Sequence, residues 1–528
     1  MMKNNIKYLA ILALGIVACE PEFDNPIEES DVYVSGEADY SNYVALGNSL
    51  TAGYADASLY ITGQENSYPN ILAQQFEFAG GGEFKQPLMA DNTGGLLLGG
   101  TQIQPNRLVL AFDAEGNPGP AVYTGGQAST DVSTTLTGPF NNLGAPGAKS
   151  FHLVAEGYGN VAGVAAGLAN PYYARFASSA NASIIGDAVS QNPTFFSLWI
   201  GNNDILGYAT SGGVGVDHNE TGNLDPTTYG SNDITNINVF GSVYSQLVAG
   251  LTANGAEGVV LNIPDVTSIP YFTTVPFAPL SPLDPNFGPQ IPTLNETYAG
   301  LNQAFAFLGV PERSIVFSET AASAVVVKDE NLTDLTAQLT QVLTPSFGPL
   351  APILAAQFGQ ARQATSADLL VLTSSSIIGQ VNTDRLAELV GLGLTEEMAG
   401  EFSVNGVTLP LTDQYVLTPE EQALVSSAQA SFNATIKAIA DANDLAFYDA
   451  NAALSQIANG GIAYDGGVIT SQFATGGAFS LDGVHPTPRA HAILANGILD
   501  VLKKKYKTNV PKVKAGTYGT VTVSNDVN

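Results

Sequence analysis

The sequence predicts an α/β protein built on a short parallel sheet. Three apolar runs carry that expectation. They are Tyr43-Val44-Ala45-Leu46 ending in Gly47, Phe195-Phe196-Ser197-Leu198-Trp199-Ile200 ending at Gly201, and Gly258-Val259-Val260-Leu261-Asn262-Ile263 ending at Pro264. Each has the length and near-continuous hydrophobicity of a strand buried on both faces, and each stops at a residue that turns the chain out of a sheet. The stretches between them are long enough for helices, which favours parallel strands joined by crossovers over hairpins.

The elements follow in chain order. Lys3 and Lys7 precede an apolar stretch from Tyr8 to Val17, too short to span a bilayer, and Ile16-Val17-Ala18-Cys19 closes it. Residues 1–18 therefore read as a secretory signal. Its end resembles a bacterial lipobox, which implies lipidation of Cys19. That residue is the only cysteine in the chain, so no intrachain disulfide is expected. Acyl chains on Cys19 would hold the protein on a membrane without a transmembrane helix. The run Glu20-Pro21-Glu22-Phe23-Asp24 resembles the export signal of surface lipoproteins in Bacteroidetes. The implied location is the bacterial outer membrane or cell surface. Residues 19–40, acidic and without periodicity, read as a tether, 41–510 as the main domain, and 511–528 as a C-terminal tail.

Within the main domain, Thr418 before Pro419, Glu420 and Glu421 opens a helix expected to reach about Ala442. Thr487 and Pro488 open another that ends in Lys503, Lys504 and Lys505, where the helix dipole favours cations. Leu332, Leu335, Leu339 and Val342 share a helical face, predicting an amphipathic helix over 331–343. Two long segments look inserted into the core: 79–140, rich in Gly, Asn and Thr, and 273–415, which starts Pro-rich. Either is expected to line a substrate cleft. The apolar Leu96-Leu97-Leu98 run favours an acyl-lipid or short-chain ester as substrate.

Composition narrows the function. At 528 residues and 45% hydrophobic, the chain is long enough to bury a large core. Its formal net charge is -30, and only ten Lys and Arg lie between the basic ends, so a nucleic-acid partner is not expected.

Four short blocks carry chemistry. In Gly47-Asn48-Ser49-Leu50, a serine directly after a strand lies at the sheet's carboxyl edge with helix-start N–H groups near its oxygen. In Asn142-Leu143-Gly144-Ala145-Pro146-Gly147-Ala148, a turn glycine lets a backbone N–H approach a ligand. In Gly201-Asn202-Asn203-Asp204, an asparagine at a strand end is able to donate to an oxyanion. In Asp482-Gly483-Val484-His485-Pro486, the spacing lets a carboxylate fix an imidazole and leave its other nitrogen as a base. Each block alone is equally an N-cap or a polar turn. The other histidines, His152, His218 and His491, lack an acid three positions before them and read as inert. No Gly-x-Ser-x-Gly elbow is present, and no residue cluster has metal-ligand spacing.

Taken together and in this order, the four blocks resemble the SGNH (GDSL-like) hydrolase family of lipases and esterases. Further similar runs are Ser67-Tyr68-Pro69, Asn262-Ile263-Pro264-Asp265-Val266 and Phe479-Ser480-Leu481. The resemblance implies a flavodoxin-like three-layer α/β/α core with a parallel sheet and long insertions. It implies Ser49 as nucleophile, His485 as base, Asp482 as its orienting acid, and an oxyanion hole from the Ser49 and Gly147 backbone N–H groups and the Asn203 side chain. Asn48 departs from the family's Asp. No cofactor and no metal are implied. The expected activity is hydrolysis of carboxylic esters: lipid, short-chain or O-acetyl. A glycan O-deacetylase, an acyltransferase on the same site and a catalytically silent surface binding lipoprotein stay open.

Overall fold

The computed structural model describes residues 33–114, 116–524 and 527. The signal segment 1–18, Cys19 and the acidic run that follows lie outside the described residues. The chain enters through strand β1 (Tyr43–Gly47), turns into the single-turn helix α1 (Ser49–Ala52), and continues through helix α2 (Tyr68–Phe76). Next come β2 (Asn142–Gly144), α3 (Ile184–Val189), β3 (Phe195–Trp199), α4 (Asn203–Thr210), α5 (Ile237–Thr252) and β4 (Glu257–Leu261). A long excursion carries α6 (Ile291–Phe307), α7 (Thr336–Phe347) and α8 (Ala351–Phe358). The chain then returns through α9 (Pro419–Ala442), β5 (Ala446–Tyr448), α10 (Ala450–Ala458) and α11 (Pro488–Tyr506).

The five strands form one parallel sheet in the order β5-β4-β3-β1-β2, with Leu46 opposite Leu143 and Leu198, and Val260 opposite Leu198 and Phe447. Every residue of β1 and β3 is buried, because both faces of the sheet are covered. Side chains alternate between two cores. Val44, Leu46, Phe196, Leu198 and Val260 pack under α3, α5 and α9, while Tyr43, Ala45, Phe195, Trp199 and Val259 pack under α2 and α11. The result is a mixed α/β molecule with helices on both sides of a central parallel sheet. The strand order reverses beside β1, the position where open sheets of this kind place their ligand crevice.

Both Thr-Pro starts form helices. Thr418 and Glu421 make a reciprocal capping box on α9, and the Thr487 hydroxyl accepts from the Ala490 N–H on α11. The helix expected over 331–343 begins later. The Asp334 carboxylate takes the N–H and hydroxyl of Thr336, so the first turn starts there, and Leu332 and Leu335 precede the helix. Only the last part of the expected tether 19–40, from residue 33 on, lies among the described residues. Where it is described it is docked: Glu37 donates to the Tyr506 carbonyl, and Ala38 and Tyr40 are buried.

The excursion from Val275 to Val416 has a hydrophobic core of its own, including Ile291, Phe305, Leu339, Leu354 and Phe358. Residues 94–122 form two antiparallel ribbons, Gly94–Leu98 with Thr101–Asn106 and Leu108–Phe112 with Pro118–Val122. Leu96 is buried with Ala52, Leu59, Val132 and Tyr172, so it anchors this segment behind α1. The tail past residue 510 packs on the body: Arg489 donates to the Tyr518 carbonyl, and Leu110 exchanges backbone bonds with residues 522 and 524. No helix among the described residues is long and apolar enough to cross a membrane.

Candidate active site

Ser49 is the first residue of α1, two residues beyond the end of β1. The Asn48 side chain fixes it there, because its oxygen accepts from the Leu50 N–H at 3.0 Å and its amide donates to Asn202 at 3.2 Å. Asn48 thus caps α1 and ties the end of β1 to the end of β3.

His485 arrives from a chain segment far along the sequence. Its Nε2 lies 2.9 Å from Ser49 Oγ, and its Nδ1 lies 2.8 Å from Asp482 Oδ2. With the carboxylate accepting at Nδ1, Nε2 is left as the acceptor for the serine hydroxyl. The three side chains form one continuous hydrogen-bonded line.

Asp482 is held by five donors. Oδ1 accepts from the Val484 N–H, the His485 N–H and the Ser480 hydroxyl, at 2.9, 2.9 and 3.0 Å. Oδ2 accepts from the Ala57 N–H at 2.9 Å as well as from His485. Burial works to raise its pKa, but the facing imidazole and the donated hydrogen bonds outweigh burial and hold the carboxyl well below the usual range. Gly483 turns this loop at φ 72; a Cβ there would press on the Tyr271 backbone at 3.1 Å and Leu372 Cδ2 at 3.0 Å.

The donor groups face the same edge. Asn203 opens α4 just past β3, and its Nδ2 donates to the Ala148 carbonyl at 2.9 Å, leaving its second amide hydrogen uncommitted. Gly147 follows β2 at φ 81 and is exposed between buried neighbours, with no atom within 4 Å of where a Cβ would sit. Among the described residues, no acceptor meets the backbone N–H of Ser49 or of Gly147. Asp204, fully buried, accepts from the Ser150 N–H at 2.8 Å and hydroxyl at 2.7 Å, pinning the Gly147 turn against α4.

An open cleft borders Ser49, Asn202, Asn203 and His485. The rest of its wall is mostly apolar, including Leu50, Leu206, Ile269, Leu454, Phe479 and Ile493. The wall comes from residues 49–50, 199–206, 264–269 and 448–494. The segments 79–140 and 273–415 contribute nothing to it, against expectation: the second closes on a core of its own, and the first packs behind α1 against Ala52, Leu59 and Tyr172. Leu96-Leu97-Leu98 is accordingly not a cleft wall.

The structure adds residues that sequence reasoning missed. Asp56 and Ala57 are the two corner residues of a tight turn, both left-handed (φ 52 and 59), and they cradle the 480–482 loop. The Asp56 N–H donates to Ser480 Oγ, Asp56 Oδ1 accepts from the Leu481 N–H, and the Ala57 N–H reaches Asp482. The Tyr54 ring lies 4.8 Å from the His485 ring, and its hydroxyl donates to the Ala57 carbonyl. Nothing in Tyr54-Ala55-Asp56-Ala57-Ser58 signals such a turn locally. The remaining histidines do not join the site. His218 is buried against Asp233 at 2.8 Å, His152 stacks on Tyr158, and His491 is buried rather than exposed, with Nδ1 accepting from the Tyr68 N–H. Among the described residues, the one group of acids close enough to share a metal ion is Glu330, Asp413 and Glu421, none of which borders the cavity.

Comparison of the chain with protein-family models, with curated proteins and with solved structures finds no match.

Proposed function

We propose that the chain is a serine esterase of the SGNH type that cleaves carboxylic esters with an apolar acyl group. The observation that carries this reading is the unbroken line from Asp482 through His485 to Ser49 at 2.8 and 2.9 Å, beside two free backbone N–H groups and an asparagine amide. In this reading Ser49 Oγ attacks the ester carbonyl carbon as its proton passes to His485 Nε2. Asp482 stabilises the imidazolium. The negative charge that forms on the carbonyl oxygen is met by the Ser49 N–H, the Gly147 N–H and the Asn203 amide. Collapse of the tetrahedral adduct breaks the bond to the alcohol oxygen, which leaves with the proton from His485. Water then attacks the acyl-serine, giving its proton to His485, and the second collapse returns that proton to Ser49.

The apolar wall of the cavity supports acyl-lipid or longer-chain esters over O-acetyl glycans, since an acetyl group would leave most of it unfilled. A panel of nitrophenyl esters from acetyl to long acyl chains tests this. Turnover should rise with chain length, and Ser49→Ala should lower kcat by about 10⁴-fold or more. Absence of turnover on every ester would leave the silent binding lipoprotein as the better reading.

We also propose that the protein is an exported lipoprotein anchored through Cys19, the sole cysteine, placed directly after the apolar leader. Cys19→Ser should move the protein from the membrane to the soluble fraction. Unchanged membrane association defeats the anchor.

A further inference from the structure

A second group of titratable side chains lies away from the Ser49 cavity, where the excursion meets the central body. Glu330 follows the short strand Val326–Lys328, Asp413 lies just before α9, and Glu421 occupies the first turn of α9. One carboxylate oxygen from each lies within 4.8 Å of the other two. No ligand spacing is visible in the sequence because the three come from separate segments.

Two of these carboxylates also present buried oxygens with no donor. Glu421 is 4% exposed. Its Oε2 accepts from the Thr418 N–H at 2.7 Å and hydroxyl at 2.8 Å, but its Oε1 meets no hydrogen-bond partner. Asp413 Oδ1 is likewise buried and unpartnered. Buried acceptors are nearly always satisfied, so these two carboxylate oxygens call for a proton or a cation that the ionised cluster does not itself hold.

The backbone around them is shaped to admit the cluster. Gly212 and Gly213, at φ 68 and 89, form the turn after α4. A Cβ on Gly213 would fall 2.0 Å from Glu421 Oε1, and one on Gly212 would fall 1.9 Å from the Asp413 carbonyl oxygen. The groups facing the cluster are Lys328, exposed on the neighbouring strand, and Tyr208 on α4, with Asp217 also acting on Tyr208. A single exposed ammonium does not balance three carboxylates. Burial, and then the neighbouring acids, push both the Asp413 and Glu421 carboxyls up when no other cation is near.

We propose that Glu330, Asp413 and Glu421 bind a calcium ion that clamps the 275–416 excursion onto α4 and α9. The donor set is all hard oxygen, with no histidine or cysteine, which suits calcium or magnesium and not zinc. Three protein carboxylates in one site favour calcium, which takes about 6–8 oxygens in flexible geometry, over magnesium, which keeps several waters and is usually held by only one or two carboxylates. The ion would sit at the far end of the helix that begins with Asn203, away from Ser49, so its role here is structural. Water and backbone carbonyls would complete its shell.

The test is calorimetric titration of the EDTA-treated full-length protein with calcium chloride alone, alongside thermal unfolding. One saturable calcium site is expected, with a rise in Tm of about 2 °C or more at saturation. Glu330→Gln, at an exposed position that should fold normally, and Asp413→Asn should each weaken calcium binding about tenfold or more and abolish the Tm shift. Glu312→Gln, an exposed acid elsewhere on the excursion, should change neither. Failure to find a saturable site overturns the proposal, as does equal calcium affinity in the wild type and both cluster variants. Magnesium binding as tight as calcium overturns the assignment of the ion. Because the readouts are binding and Tm, the outcome stands apart from whether Ser49 hydrolyses esters.

Discussion

Asp482 shows how much of the site's order is invested in one side chain. Five donors converge on its two oxygens, so the carboxylate has little freedom to rotate, and His485 inherits that fixed orientation. Two consequences follow from its depressed pKa. The group stays ionised throughout the pH range in which esters are ordinarily assayed, so Asp482 itself adds no acidic limb to the rate profile. Its contribution to folding is fully present above the unfolded carboxyl pKa of about 3.9, and is lost as pH falls from there toward the folded value. Asp482→Asn should lower kcat by about 10⁴-fold with KM little changed, since the amide cannot hold the same tautomer or stabilise the imidazolium. The gap in unfolding free energy between wild type and this variant, read by denaturant titration, should narrow as pH falls below about 4. A gap that widened as pH fell through that range would contradict the carboxylate's assigned state.

At the level of elements, what was legible in the sequence depended on how much of each element's cause is local. The runs at β1, β3 and β4 are visible because a parallel strand covered on both faces must be apolar throughout. The helices α9 and α11 are visible because their Thr-Pro starts are set by adjacent residues. The strands β2 and β5 escaped notice: each is three residues long, and Asn142-Leu143-Gly144 reads as a turn until β1 pairs beside it. The late start of α7 has the same origin, since Asp334 competes with the hydrophobic stripe and only the folded chain shows which prevails. Ser49 and His485 were legible through their flanking residues. The Asp56-Ala57 cradle was not, because two L-residues in left-handed conformation cost about 1–3 kcal/mol each and are tolerated only where the surrounding fold imposes them. Its partner, the 480–482 loop, is more than four hundred positions away.

On the scale of the whole molecule, the cradle leads to Arg107, a residue that joins distant parts of the chain. Its guanidinium is 2% exposed, donates to Asp56 Oδ2 at 2.7 Å and to the Thr522 hydroxyl at 2.8 Å, and lies 3.6 Å over the Tyr60 ring. One side chain from the ribbon segment thus holds the turn that carries Ala57, and through it the loop that carries Asp482, while also docking the C-terminal tail. Burial raises the Asp56 carboxyl, and Arg107 is the first of the interactions that oppose that rise. Removing the cation leaves a buried carboxylate without its counter-charge, a loss of about 3–5 kcal/mol in comparable pairs, whereas replacing both partners removes the uncompensated charge as well. Arg107→Met should therefore destabilise the protein by about 3–5 kcal/mol in denaturant unfolding. It should also reduce kcat more than it alters KM, because the shifted group is the support of Asp482 and not the cavity wall. The double variant Arg107→Met with Asp56→Asn should recover part of the lost stability but not the lost kcat, since the Asp56 contact to the Leu481 N–H would still be weakened. An Arg107→Met protein with wild-type stability and wild-type kcat would show that the ribbon segment and the Asp482 loop are held independently.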